Sequence, residues 1–214
     1  MDSESIRILI VDDHSLLRRG IINSLSASLP EAEFCEAGNA AETIRSIKKE
    51  RWDLVILDIN IPDRNGLDVL KEIKENYPEI PVIIFSMYPE DQFALRSIRA
   101  GASAYLTKDI SVNEFAKAIR RIIKGERYLT STLMELITNE IRDDHKSSSH
   151  ELLSDREYQV FLMIASGLNI SMIAKKLFLS VKTVSVYRSH ILQKMNLKNN
   201  SEITHYAFQH DLVK

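Results

Sequence analysis

"WDLVILDINIPDRNG", residues 52–66, decides how the rest of the chain is read. Four apolar residues, Leu54 to Leu57, stop abruptly at a carboxylate, Asp58. Turn-forming residues follow at Pro62, Asn65 and Gly66. A short, unbroken apolar run fits a strand buried on both faces, as in parallel sheets. Such a strand gains nothing from ending in a charge, so the reason for Asp58 has to be sought in its neighbours.

Comparable runs lie on both sides: "IRILIV" (6–11), "EFCEA" (33–37), "PVIIFS" (81–86) and "AYLT" (104–107). Helical patterns separate them at 14–29, 39–50, 66–77 and 90–100, and another follows at 111–125. Leu67, Leu70 and Ile73 recur at helical spacing, as do Phe115, Ala118, Ile119 and Ile122. Ser111 with Glu114 three residues on has the form of a capping box. Strand–helix alternation of this kind predicts an α/β domain, a doubly wound parallel sheet with right-handed crossovers. Sites in such sheets form beyond the carboxyl ends of the strands.

The strand ends then read as a set. The first run finishes in Asp12-Asp13, the third in Asp58, the fourth in Ser86, and Lys108 follows the fifth. Three carboxylates meeting at one rim need a cation or a shared proton. Mg²⁺, a hard cation with oxygen ligands, fits them, and Mn²⁺ is an alternative. Lys108 adds a fixed positive charge and Ser86 a hydroxyl. An aspartate in that company is equipped to accept a phosphoryl group. Asp13 alone would read as an ordinary turn former or helix cap; it is the set that points to chemistry.

Bulk properties bound the rest. The 214 residues are enough for one or two domains. A single cysteine, Cys35, allows no intrachain disulfide and fits a reducing compartment. No apolar run approaches the roughly 18 residues of a membrane helix, and no leader pattern precedes the first strand. A cytoplasmic protein without membrane contact is expected. Residues 1–125 carry 17 Lys and Arg against 20 Asp and Glu, whereas residues 151–214 carry 8 against 5. The two ends therefore suit different partners.

After Gly125 the alternation stops. Residues 126–150 read as a linker, with a possible helix over 128–144 and a polar stretch, "HKSSSHE", at 145–151. Residues 151–214 look all-helical. Within them, Ile170, Ile173, Ala174 and Leu177 form one apolar stripe, a short turn follows at Phe178-Leu179, and Ser180 can cap the next helix. In that helix Val184, Tyr187, Ile191 and Met195 share a face. Lys182, Ser185, Val186, Ser189 and Gln193 lie opposite, within roughly 100° of arc. The division suits a helix-turn-helix whose second helix enters the major groove of double-stranded DNA. A plain helical bundle with a polar surface would show the same stripe. Arg188, His190 and Lys194 flank the face and could reach phosphates, and Thr183 opens the helix beside Lys182.

"ILIVDDH", "VILDINIPDRNGLDVL", "PVIIFSMY" and "GASAYLTKD" resemble the receiver domain of bacterial two-component response regulators. "LSDREYQVFLMIASGLNISMIAKKL" and "TVSVYRSHILQKMNLKNNSEI" resemble the LuxR-type DNA-binding domain of the NarL/FixJ subfamily. The resemblance implies a receiver over 1–125 with strand order 2-1-3-4-5, and a DNA-binding domain over 151–214. It makes Asp58 the phospho-acceptor, charged by a sensor histidine kinase or a small phosphodonor. Asp13, Asp58 and the backbone carbonyl of Asn60 become metal ligands, with Asp12 acting through water. Ser86 and Lys108 would bind the phosphoryl oxygens, and Tyr105 would be the aromatic switch that turns inward when Ser86 moves. The final helix, about 201–212, implies a homodimer on DNA. One departure is Asp109, where relatives often have proline in a cis peptide; the Lys108–Asp109 geometry stays open. Two other functions remain at this point. One is a Mg²⁺-dependent phosphohydrolase of the haloacid-dehalogenase type, disfavoured because Asn60 stands where a second aspartate is needed. The other is a DNA-binding protein that ignores phosphorylation.

Overall fold

The computed structural model describes residues 5–142 and 148–213. The chain divides into two compact units, residues 1–140 and 141–214.

The first unit holds five parallel strands: β1 (Ile6–Val11), β2 (Ala32–Ala37), β3 (Leu54–Leu57), β4 (Val82–Ser86) and β5 (Ala104–Thr107). Their order is β2-β1-β3-β4-β5, as expected. Helices α1 (Ser15–Ser26), α2 (Ala40–Lys49), α3 (Gly66–Asn76), α4 (Glu90–Arg99) and α5 (Val112–Ile123) connect or follow them. β3 and β4 are buried along their whole length, which explains their unbroken apolar character. Alternate residues serve opposite faces. Ile8, Ile10, Leu54, Ile56, Ile83 and Phe85 pack with Ile21 and Leu25 of α1 and with Phe115, Ile119 and Ile122 of α5.

Register places the site. Val11 pairs with Leu57, so the residues that follow, Asp12 and Asp58, leave the sheet side by side. The chain runs from β1 outward to β2 and returns to β3 on the other side. Asp12 and Asp58 therefore stand at the point where strand order reverses, the usual crevice of an open α/β sheet. On the other flank Ser86 pairs with Thr107, which delivers Lys108 to the same rim.

The first unit extends beyond the expected boundary at residue 125. Helix α6 (Ser131–Arg142), placed in the linker by sequence, packs with this unit up to residue 140. Thr130 bonds Glu90 of α4, and Arg99 of α4 pairs with Glu140. Of the polar stretch 145–151, residues 145–147 lie outside the described residues, and its end enters a 3-10 turn, Ser149–Leu152.

The second unit is all-helical: α7 (Asp155–Ala165), α8 (Ile170–Lys176), α9 (Val181–Lys194) and α10 (Asn200–Gln209). α7 packs against the other three. Each helix begins with a side-chain cap, from Ser154, Asn169, Ser180 and Asn199 in turn. Ser154 and Glu157 complete a reciprocal capping box. The turn from α8 to α9 bends through Phe178, whose φ of 55° is left-handed. The buried face of α9 is the expected one: Val184, Ile191 and Met195 are buried and Tyr187 is half-buried.

Candidate functional site

At the carboxyl rim of the sheet, Asp58 is only 4% exposed. Its backbone N–H donates to Val11 at 2.9 Å, which fixes it beside β1. Lys108 donates to Asp58 Oδ2 at 2.6 Å and to Asp12 Oδ2 at 2.5 Å, bridging the two carboxylates. The Lys108 backbone N–H donates to the Ser86 carbonyl at 2.8 Å, tying the lysine to β4.

The loop after β3 closes over Asp58 because Gly66 has no side chain. A Cβ there would lie 2.1 Å from the Asp58 carbonyl oxygen and 2.8 Å from Ile59 Cα. Buried Asn65 caps α3 by accepting from the Leu67 N–H, and it forms a bridge with Asn60. The Asn60 backbone in turn favours the ionised Asp58 carboxylate.

Electrostatics follow from burial and partners. Burial raises the Asp58 carboxyl; Lys108 pulls it back and Asp12 raises it again, and the net shift is upward. Burial pushes the Lys108 amine down, but Asp58 and Asp12 more than offset this and hold it above 10.5. The lysine is therefore a permanent cation.

The donor set fits a hard divalent cation. Asp58 Oδ1 and Asp13 Oδ1 are buried oxygens without a hydrogen-bond partner. The Asp13 atom lies 2.7 Å from His14 Nδ1, outside hydrogen-bond geometry. Ligand atoms of Asp12, Asp13 and His14 can gather within 4.8 Å of one another. Unsatisfied carboxylate oxygens in a crevice are what a cation with oxygen ligands would satisfy.

Ser86 and Tyr105 form a second layer. Ser86 is fully buried, and its Oγ accepts from the Tyr88 N–H at 3.3 Å. The Tyr105 hydroxyl donates to the Tyr88 carbonyl at 2.7 Å, so Ser86 and Tyr105 both hold the Tyr88 backbone. Tyr105 is wholly buried, so the ring occupies the inward position in this structure. The Lys108–Asp109 peptide is trans; no peptide among the described residues is cis.

Two contributors escape sequence reading. Arg18 on α1 reaches back so that Nη1 donates to the Asp12 carbonyl and Nε to Glu36, both at 2.6 Å. The His14 N–H donates to Asp12 Oδ1 at 2.7 Å. The Arg18 contacts depend on how α1 leaves the sheet, whereas the His14 contact is an Asx turn, a local signal available at Asp12.

On α9, Lys182, Val186 and Ser189 are exposed and Ser185 and Thr183 half-buried. Thr183 belongs to the cap: its N–H donates to Ser180 Oγ at 3.0 Å and its hydroxyl pairs with the same atom. The flanking cations are more committed than the sequence suggests. Arg188 donates to Asn200 at 2.6 Å, Lys194 donates to Glu157 at 2.6 Å, and His190 lies 3.4 Å from the other oxygen of Glu157. Burial opposes ionisation of Glu157, but Lys194 and Ser154 outweigh it and hold the carboxyl below 4.5.

Residues 8–120 match the response regulator receiver domain family, and residues 151–207 match the bacterial regulatory proteins of the luxR family. The chain is 32% identical to the response regulator GacA of Pseudomonas protegens, over 97% of this chain and 98% of that protein. The chain belongs to the two-component response regulators of the NarL/FixJ subfamily. This response regulator is also 31% identical to the oxygen regulatory protein NreC of Staphylococcus epidermidis, over 98% of this chain and all of that one. Its fold is similar to that of RcsB from Salmonella enterica serovar Typhimurium, solved on promoter DNA with the phosphomimetic BeF₃⁻. That likeness has a TM-score of 0.64 at 24% identity and covers 94% of this chain and 98% of that one. The regulator thus joins a receiver to a LuxR-type DNA-binding domain, the architecture of phosphorylation-controlled transcription regulation. No helix among its described residues is long and apolar enough to cross a membrane.

Proposed function

We propose that Asp58 is the residue phosphorylated, and that its phosphorylation controls how α9 engages DNA. The observation that carries this reading is the state of the Asp58 carboxylate. One oxygen is held by Lys108, while the other is buried and lacks a hydrogen-bond partner.

A carboxylate oxygen of Asp58 attacks the phosphorus of a phosphohistidine on a sensor kinase, or of a small acyl phosphate. A P–O bond forms as the donor's P–N or P–O bond breaks, and a departing imidazole takes a proton from water. Lys108 already touches Asp58, so its charge faces the incoming phosphoryl oxygens without a large rearrangement. Asp13, Asp58 and the Asn60 carbonyl would hold Mg²⁺ or Mn²⁺, with Asp12 behind them. When bound, that ion neutralises phosphoryl charge. Ser86 is the mobile partner. If its hydroxyl turns to a phosphoryl oxygen, its contact with the Tyr88 N–H changes, and the change passes to the β4–α4 segment and, through the Tyr88 carbonyl, to Tyr105. Asn60 stands where a phosphohydrolase of the haloacid-dehalogenase type carries its acid–base aspartate, so the adduct persists instead of turning over. DNA-bound copies pair as a homodimer through the last helix.

Incubation with acetyl phosphate and Mg²⁺, followed by intact mass measurement, tests the reading. The wild type gains one phosphoryl group and Asp58→Asn gains none. An unlabelled wild type would overturn the assignment. Steady release of phosphate from a monoester, lost in Asp58→Asn, would favour the hydrolase instead.

A further inference from the structure

The middle of the exposed face of α9 carries no long side chain, yet it has a definite chemical pattern. Val186 is 45% exposed there, with Ser185 before it and Ser189 one turn further on. Ser185 Oγ lies 2.9 Å from the Val181 carbonyl, and Ser189 Oγ lies 3.0 Å from the Ser185 carbonyl. A carbonyl oxygen cannot donate, so each hydroxyl hydrogen is committed to the helix backbone. What the two serines present outward is lone pairs alone. The patch is therefore two acceptors around one branched apolar group.

The major groove offers few complements to such a patch. Its donors are the exocyclic amines of adenine and cytosine; guanine shows acceptors only; its one apolar group is the thymine methyl. Only an A·T pair presents an amine and a methyl group together. We propose that Ser185, Val186 and Ser189 read A·T pairs. Val186 packs on a thymine methyl, and a serine oxygen accepts from the N6 amine of adenine. The inference rests on the reading of α9 as the DNA-recognition helix and adds the bases it selects.

The test uses the full chain treated with acetyl phosphate and Mg²⁺. Duplexes are first enriched from a random pool. Each thymine in an enriched site is then replaced by deoxyuridine, which removes only the methyl group. Each adenine is replaced by purine, which removes only the amine. At one or more thymines the wild type loses about fourfold in affinity, the worth of one buried methyl group, and Val186→Ala loses nothing further. At an adenine the purine weakens the wild type but not the variant, Ser185→Ala or Ser189→Ala, that lacks the accepting oxygen. If deoxyuridine at every thymine leaves wild-type affinity unchanged, or weakens Val186→Ala equally, the inference is overturned while DNA binding stands. If no sequence is enriched at all, the recognition-helix reading itself is overturned.

Discussion

Asp58 and Glu157 are both nearly buried acids, yet their environments drive them in opposite directions. Burial raises Asp58 above 3.8, against the pull of Lys108 and with Asp12 adding to the rise. A carboxyl raised in the folded state binds its proton more tightly there, so the folded state loses stability as pH climbs through the raised value. Ionised Asp58 therefore destabilises the metal-free protein at neutral pH. Asp58→Asn should unfold at a higher temperature than the wild type without divalent cations, and this gain should shrink as pH approaches 3.8. Mg²⁺ at about 100 times its Kd should stabilise the wild type by about 2.7 kcal/mol and leave Asp58→Asn nearly unchanged. Scanning calorimetry with and without Mg²⁺ checks both halves. Glu157 is held below 4.5, so its contribution is present above 4.5 and is lost as pH falls through the lowered value. Its partner Lys194 is 41% exposed on the side chain, which limits the pair. Lys194→Met should cost about 1 kcal/mol of stability in the second unit. Because Lys194 is turned to Glu157, the same change should leave the salt dependence of DNA binding as it was. A log–log slope shallower by about 1 would instead mark a phosphate contact.

At the scale of elements, the loop between β3 and α3 depends on Gly66. A methyl group there would sit 2.1 Å from the Asp58 carbonyl, closer than any contact allows, so the loop must move off the site. Gly66→Ala should destabilise the first unit by about 1–3 kcal/mol and slow labelling of Asp58, as read by denaturant titration and timed mass measurement. Much of this unit is legible in the sequence, since short apolar runs in a parallel sheet have a single reading once helices alternate with them. The register that sets Asp12 beside Asp58 follows from strands ending in the same chemistry. Two helix starts were legible through their caps, Ser111 and Ser180. What escaped depends on contacts distant in sequence. α6 reads as linker because its tie to the unit comes from Glu90 and Arg99, some 40 residues earlier. Arg18 looks like an ordinary surface cation until α1 is placed over the end of β1. The same holds for Lys194, whose partner Glu157 lies 37 residues away.

The whole chain joins an acidic unit to a basic one. Residues 1–125 carry a net charge of −3 and residues 151–214 a net charge of +3. Phosphorylation of Asp58 would add about −1.5 to −2 further charges to the acidic part. The adduct can alter DNA binding only if one DNA-binding state is favoured by phosphorylation more than another. Coupling between two such sites is typically about 5- to 150-fold in affinity. The measurement that reaches this most directly is fluorescence anisotropy on an enriched DNA duplex, before and after acetyl phosphate with Mg²⁺, for the wild type and Asp58→Asn. The wild type should shift within that range and Asp58→Asn should not shift at all. Equal affinity in all four conditions would show that phosphorylation of Asp58 does not control DNA binding.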